Sequence, residues 1–85
     1  MKTVYSQEYA LVLKALLLAR KAAGLTQLQL AENLGKQQTF VSKYERGERR
    51  LDVVEFVTIA RCLGVDPHAI ITDFEAIAPQ DGGDR

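Results

Sequence analysis

Gln38, Thr39, Ser42 and Lys43 offer an amide, two hydroxyls and an ammonium within one short stretch. All are of a size to touch something specific. With Gln38 set at zero and ~100° per residue, they and Arg46 fall between roughly 0° and 140°. Phe40, Val41 and Tyr44 fall between roughly 200° and 300° on the same wheel. One face can dock on a core while the other presents donors and acceptors to a partner. The plain alternative is a solvated helix surface, although such surfaces tend to be rich in Glu and Lys. Four further cations, Lys36, Arg46, Arg49 and Arg50, lie within the same region.

Bond-making chemistry finds little support. His68 is the only histidine and Cys62 the only cysteine, so no pair has metal-ligand spacing. His68 falls at the start of a helix, where a solvated role suffices, and Cys62 reads as a small apolar filler. No glycine-rich phosphate loop is present. No catalytic residue, cofactor or metal is expected, and the chain does not read as an enzyme.

The totals bound the rest. A chain of 85 residues with 47% hydrophobic content supports one small folded domain. No apolar run reaches the length of a bilayer span, and no signal peptide is visible. A single cysteine gives no internal disulfide. The expectation is a cytoplasmic protein without a membrane partner. The formal net charge is +0, but charge is unevenly placed. Five basic residues between Lys36 and Arg50 face only Glu45 and Glu48, whereas the chain after Asp66 is mostly acidic. A local basic footprint with an acidic far side would result.

Helix start and stop signals follow one another at short intervals, with no alternating strand pattern. The first helix should begin after Ser6 and end before Gly24. The second opens with the capping box Thr26–Gln29, carries Leu25 and Leu30 as a hydrophobic staple, and stops at Gly35. The third covers Gln38 to Arg46 and stops at Gly47. The fourth has Asp52 as N-cap, Glu55 at N3, and Leu51 with Phe56 as staple; it ends at Gly64. The fifth has Asp66 as cap, Pro67 at N1, and Val65 with Ile70 as staple. Residues 1–77 thus read as one all-α domain, and residues 78–85 as a flexible tail.

The turn Gly35-Lys36-Gln37 joins the second and third helices. Two short helices across such a glycine-containing turn have helix-turn-helix geometry, here over about residues 26–46. In that arrangement the second helix enters the DNA major groove and the first crosses the phosphate backbone.

The stretch LTQLQLAENLGKQQTFVSKYERGERR resembles the phage repressor and Cro family of lambda-repressor-like helix-turn-helix domains. The similarity runs from about Leu16 to Ile71. It is carried by Leu25-Thr26-Gln27, Leu30-Ala31, Leu34-Gly35, Val41-Ser42, Tyr44-Glu45-Arg46-Gly47 and Leu63-Gly64-Val65. The resemblance implies a compact five-helix domain that binds double-stranded DNA in a sequence-specific way, mostly as a homodimer. It also implies that Gln38 and Thr39 read bases, with Ser42 and Lys43 on bases or phosphates. A glutamine amide can bond adenine N6 and N7 together, and a threonine methyl can rest on a thymine methyl. Gln27, Lys36, Gln37, Arg46, Arg49 and Arg50 become phosphate contacts. Arg20 and Glu45 match positions that the family often joins by a salt bridge. Gln37 departs from the pattern, since that N-cap slot more often holds serine or another short cap. Its loss should weaken the helix start by about 1 kcal/mol.

Two apolar surfaces suggest where a partner docks. Ile70, Ile71, Phe74 and Ile77 share a face of the fifth helix. Leu11, Ala15, Leu18 and Ala22 form a second stripe on the first helix, opposite Leu13, Leu16 and Arg20. The function expected is a dimeric repressor reading an inverted-repeat operator. The rival is an antitoxin or other protein-interaction module on the same fold, with a second protein partner on the first helix and DNA binding secondary.

Overall fold

Four of the five helices begin where a side chain satisfies an amide that the helix itself cannot. The computed structural model describes residues 6–77, and within them five α-helices form: α1 (Gln7–Ala22), α2 (Gln27–Leu34), α3 (Gln38–Glu45), α4 (Val53–Cys62) and α5 (Pro67–Ile77). Ser6 accepts from the Tyr9 amide at the start of α1. Thr26 with Gln29 and Asp52 with Glu55 close full capping boxes on α2 and α4. The Asp66 carboxylate accepts from the His68 amide at the start of α5. Gln37 makes no side-chain cap bond, so α3 starts without this support.

Glycines in the left-handed conformation end the two helices that matter most for the site. Gly35 (φ 69°) turns the chain between α2 and α3. Gly47 (φ 76°) follows α3, where its amide bonds to the Tyr44 carbonyl and that of Glu48 to the Lys43 carbonyl. The third helix closes one residue earlier than its pattern predicts. Arg46 is the C-cap, near helical dihedrals with its amide still bonded to the Ser42 carbonyl, and the left-handed Gly47 then turns the chain.

The core lies where α1, α2, α3, α4 and α5 converge, on Leu13, Leu16, Leu30, Ala31, Val41, Tyr44, Ile59, Ala60, Leu63 and Ile70. Three of the staple residues, Leu25, Leu51 and Val65, pack against it from the helix entrances, together with Phe56. Ala31 is fully buried and has no side chain beyond Cβ, which lets α2 and α3 approach closely. Phe40 meets Tyr44 edge-on at 5.7 Å between ring centroids.

Ile70 is only 8% exposed and belongs to the core, although it shares the α5 face that the sequence offers as a partner surface. Its staple role at N4 of α5 turns it inward. Ile77 closes α5, and its side chain lies outside the described residues, as does the tail 78–85.

Tyr44 is fully buried, and its hydroxyl has no hydrogen-bond partner among the described residues. Burial holds this phenol protonated far above its ordinary range. An unsatisfied buried hydroxyl costs about 1–3 kcal/mol. Tyr44→Phe is therefore expected to keep or raise the urea midpoint of unfolding, by up to about 1 kcal/mol in stability. A loss of that size would reveal a bond to this hydroxyl.

Candidate nucleic-acid interface

The outer side of α3 is built by what its inner side buries. Val41 and Tyr44 are fully buried and Phe40 partly so. Gln38, Thr39 and Lys43 are consequently exposed, with Ser42 half-buried beside them. Lys36 and Gln37 extend this polar surface from the turn, and Arg46 and Arg50 from the other end.

A buried ion pair sets the helix's orientation. Arg20 Nε donates to Glu45 Oε2 at 2.7 Å, and the two side chains are only 12% and 6% exposed. Arg20 Nη2 reaches Glu45 Oε1 at 3.2 Å, and Nη1 reaches the Leu25 carbonyl at 2.7 Å. Gln27 Nε2 also donates to Glu45 Oε1, at 2.8 Å. Gln38 Nε2 in turn reaches Gln27 Oε1 at 3.5 Å. The chain Arg20–Glu45–Gln27–Gln38 thus runs from α1 to the exposed face of α3. Gln27 links Glu45 to Gln38, a role the sequence did not disclose beside the phosphate contact expected of it. The helix start is left with its backbone amides and the second Nε2 hydrogen for an anion.

The loop from Arg46 to Leu51 is held from α1. The Tyr9 hydroxyl donates to the Arg49 carbonyl at 3.3 Å and accepts from the Leu51 amide at 2.9 Å. Burial raises the Tyr9 pKa against the lowering effect of the Leu51 amide, so the phenol remains a donor. Arg50 lies over the Tyr9 ring at 5.2 Å, and Arg49 and Lys36 lie over Phe40 at 4.7 and 5.5 Å. Two of the loop's arginines are already paired. Arg46 Nε meets Glu48 Oε2 at 3.0 Å, and Arg49 Nη2 meets Glu55 Oε2 at 2.9 Å. The sequence reading missed both carboxylates as partners and missed Tyr9 altogether. Glu48 lies two residues from Arg46, a spacing that a loop satisfies only in particular conformations. Tyr9 is 40 residues from Arg49, so only the packing of α1 brings them together.

The two apolar stripes meet. Leu11, Ala15 and Leu18 of α1 line one groove with Ile70 and Phe74 of α5, between Lys14 and Asp73. Ile71 is not part of it and lines a different hollow with Tyr9, Val12 and Phe56. Among the described residues, no group of three or more His, Cys, Asp or Glu could hold a metal ion. No helix there is long and apolar enough to cross a membrane.

Two short helices joined through a left-handed glycine, the second with a polar outer face, define a helix-turn-helix protein. A helix-turn-helix family model matches residues 16–70. A solved structure, an XRE-family like protein from Pseudomonas syringae pv. tomato str. DC3000, is 51% identical, with a TM-score of 0.81 over 86% of this chain and 89% of that one. No curated protein matches the chain. The chain belongs to the helix-turn-helix family of DNA-binding transcriptional regulators, of the XRE type. Proteins of this fold are typically DNA binders rather than enzymes.

Arg20→Ala leaves Glu45 buried with Gln27 as its remaining side-chain partner. Breaking a buried pair from one side costs about 3–5 kcal/mol. Urea unfolding should register that loss, while the base preference of the folded fraction stays the same. Unchanged stability with altered sequence choice would show that Arg20 acts on DNA directly.

Proposed function

We propose that the protein is a dimeric repressor that reads an inverted-repeat operator with α3 in the major groove. The observation that carries this reading is the division of α3. Its buried Val41 and Tyr44 aim Gln38 and Thr39 outward, and the cations Lys36, Arg46, Arg49 and Arg50 stand at either end. Gln38 is the adenine reader and Thr39 the thymine-methyl contact. Ser42 and Lys43 follow one turn on, with Lys43 long enough for guanine or a phosphate. Lys36, Gln37, Arg46, Arg49 and Arg50, with the amides at Gln27, hold the backbone. Repression follows by occupancy of a promoter, in the cytoplasmic compartment where the DNA lies.

A second copy of the chain is the occupant assigned to the groove between α1 and α5. Leu18 is 56% exposed at its edge and continues the apolar lining made by Leu11, Ala15, Ile70 and Phe74. Lys14 and Asp73 flank the groove on different helices. A two-fold contact there would be reciprocal, and these opposite charges are available to pair across it. The same exposed leucine supports the rival reading, in which the groove caps a different protein in the manner of an antitoxin.

Selection from a random duplex library at roughly physiological salt tests the first reading. Enrichment of an inverted repeat with half-sites about one helical turn apart is expected. On that duplex, Thr39→Ala should relax preference at one position of each half-site. Arg50→Ala should weaken all duplexes alike and reduce the salt slope by about one. Retention of DNA with no enriched sequence would overturn the base-reading assignment.

Leu18→Glu tests the groove, since an exposed site tolerates the charge in the monomer. Sedimentation should show the variant as a monomer that binds half-sites and full operator with equal affinity. A variant that remains dimeric would place the two-fold contact elsewhere.

A further inference from the structure

The cations around α3 are not equivalent. Among the described residues, Lys36, Lys43 and Arg50 face no carboxylate at ion-pair distance. Arg46 and Arg49 are each clamped by two parallel hydrogen bonds. Arg46 uses Nε and Nη2 on the two Glu48 oxygens at 3.0 and 3.1 Å, and its Nη1 donates to Ser42 Oγ at 3.1 Å. Arg49 uses Nη1 and Nη2 on the two Glu55 oxygens at 3.0 and 2.9 Å. A phosphate takes a guanidinium through the same planar fork. Carboxylate and phosphate therefore want the same donors. The arginine beside each holds both carboxyls below the usual range, so they stay ionised at neutral pH.

We propose that Glu48 and Glu55 are internal competitors for the DNA backbone, which set how tightly and how salt-dependently the protein grips any duplex without changing which sequence it prefers. This rests on the DNA-binding reading above. To hold a phosphate with its full fork, Arg46 must leave Glu48, and Arg49 must leave Glu55. The phosphate then gives up its condensed cation, while the freed carboxylate attracts one, so net ion release at that clamp falls toward zero. Lys36, Lys43 and Arg50, which have no such partner among the described residues, carry most of the salt dependence. The cost of opening the pairs is common to every sequence, because Glu48 and Glu55 lie outside α3 and neither touches Gln38 or Thr39. It lowers specific and random binding by the same factor, and shortens the time spent on either.

A role in shaping the loop predicts the opposite sign. If Glu48 mattered by fixing the loop in its binding conformation, its loss would weaken binding.

The experiment compares the intact chain with Glu48→Gln, Glu55→Gln and the double variant by fluorescence anisotropy across a salt series. The probes are a duplex enriched by selection, or a duplex of random sequence if none is enriched, and a scrambled version of it. Glutamine keeps the shape of each side chain, and at position 55 it keeps an acceptor for the Asp52 amide that caps α4. Circular dichroism melts identify the folded variants, and Glu48→Ala provides a second substitution in the loop.

Each single change is expected to tighten binding to both duplexes by about three- to tenfold, the scale of one exposed ion pair plus one removed repulsion. The slope of log affinity against log salt should steepen by up to about one per substitution. The ratio between the two duplexes should not move. Folded variants that bind with unchanged or lower affinity would overturn the proposal, as would a change in that ratio. An unsubstituted protein that binds no duplex at low salt would overturn the DNA-binding reading and this inference with it. The two failures are therefore told apart in the unsubstituted arm.

Discussion

The Arg20–Glu45 pair is the constraint on which the rest of the interface depends. Two charges removed from water cost several kcal/mol each, about as much as their attraction returns, unless their remaining donors and acceptors are occupied. Here Arg20 spends its third donor on the Leu25 carbonyl, and Glu45 takes a third bond from Gln27. Those bonds exist only when α1, the entrance to α2 and the end of α3 meet in one arrangement. A one-residue rotation of α3 would strand a carboxylate in the interior as well as expose Val41. The face that carries Gln38 and Thr39 is thus held in place by a penalty on every alternative.

Rigidity extends to the arginine loop by different means. Tyr9 joins it through one donated and one accepted hydrogen bond, and cations stack on the rings of Tyr9 and Phe40. A loop of this length would otherwise have to be ordered on binding, at an entropic cost in affinity. Pre-placed cations avoid that cost. The pairs with Glu48 and Glu55 act in the other direction, since they tie up two of those cations before any ligand arrives. The protein combines a preorganised clamp with a restrained charge, consistent with its net formal neutrality.

Much of the fold was legible because it rests on local chemistry. The capping boxes at Thr26 and Asp52, the Asp66 cap, Pro67 and the left-handed glycines each act within a turn of themselves. The two-sided pattern of α3 likewise needs no knowledge of the other helices. The site was legible in part for the same reason: the exposed residues of α3 follow from the buried ones. Gln27, Ile70 and the loop arginines were read less fully. Their surroundings come from other elements, which no spacing within one helix reports.

By itself, then, the sequence determined the five helices, their ends and the polar face of α3, since helix periodicity and capping are short-range effects. Tertiary structure alone decided that Glu45 would occupy Gln27, that Tyr9 would brace a loop 40 residues away, and that the stripes on α1 and α5 would border one groove. It also gave Arg46 and Arg49 their carboxylates. Hydrogen bonds and ion pairs require distances good to a few tenths of an ångström, and only the packed core sets distances between helices to that tolerance.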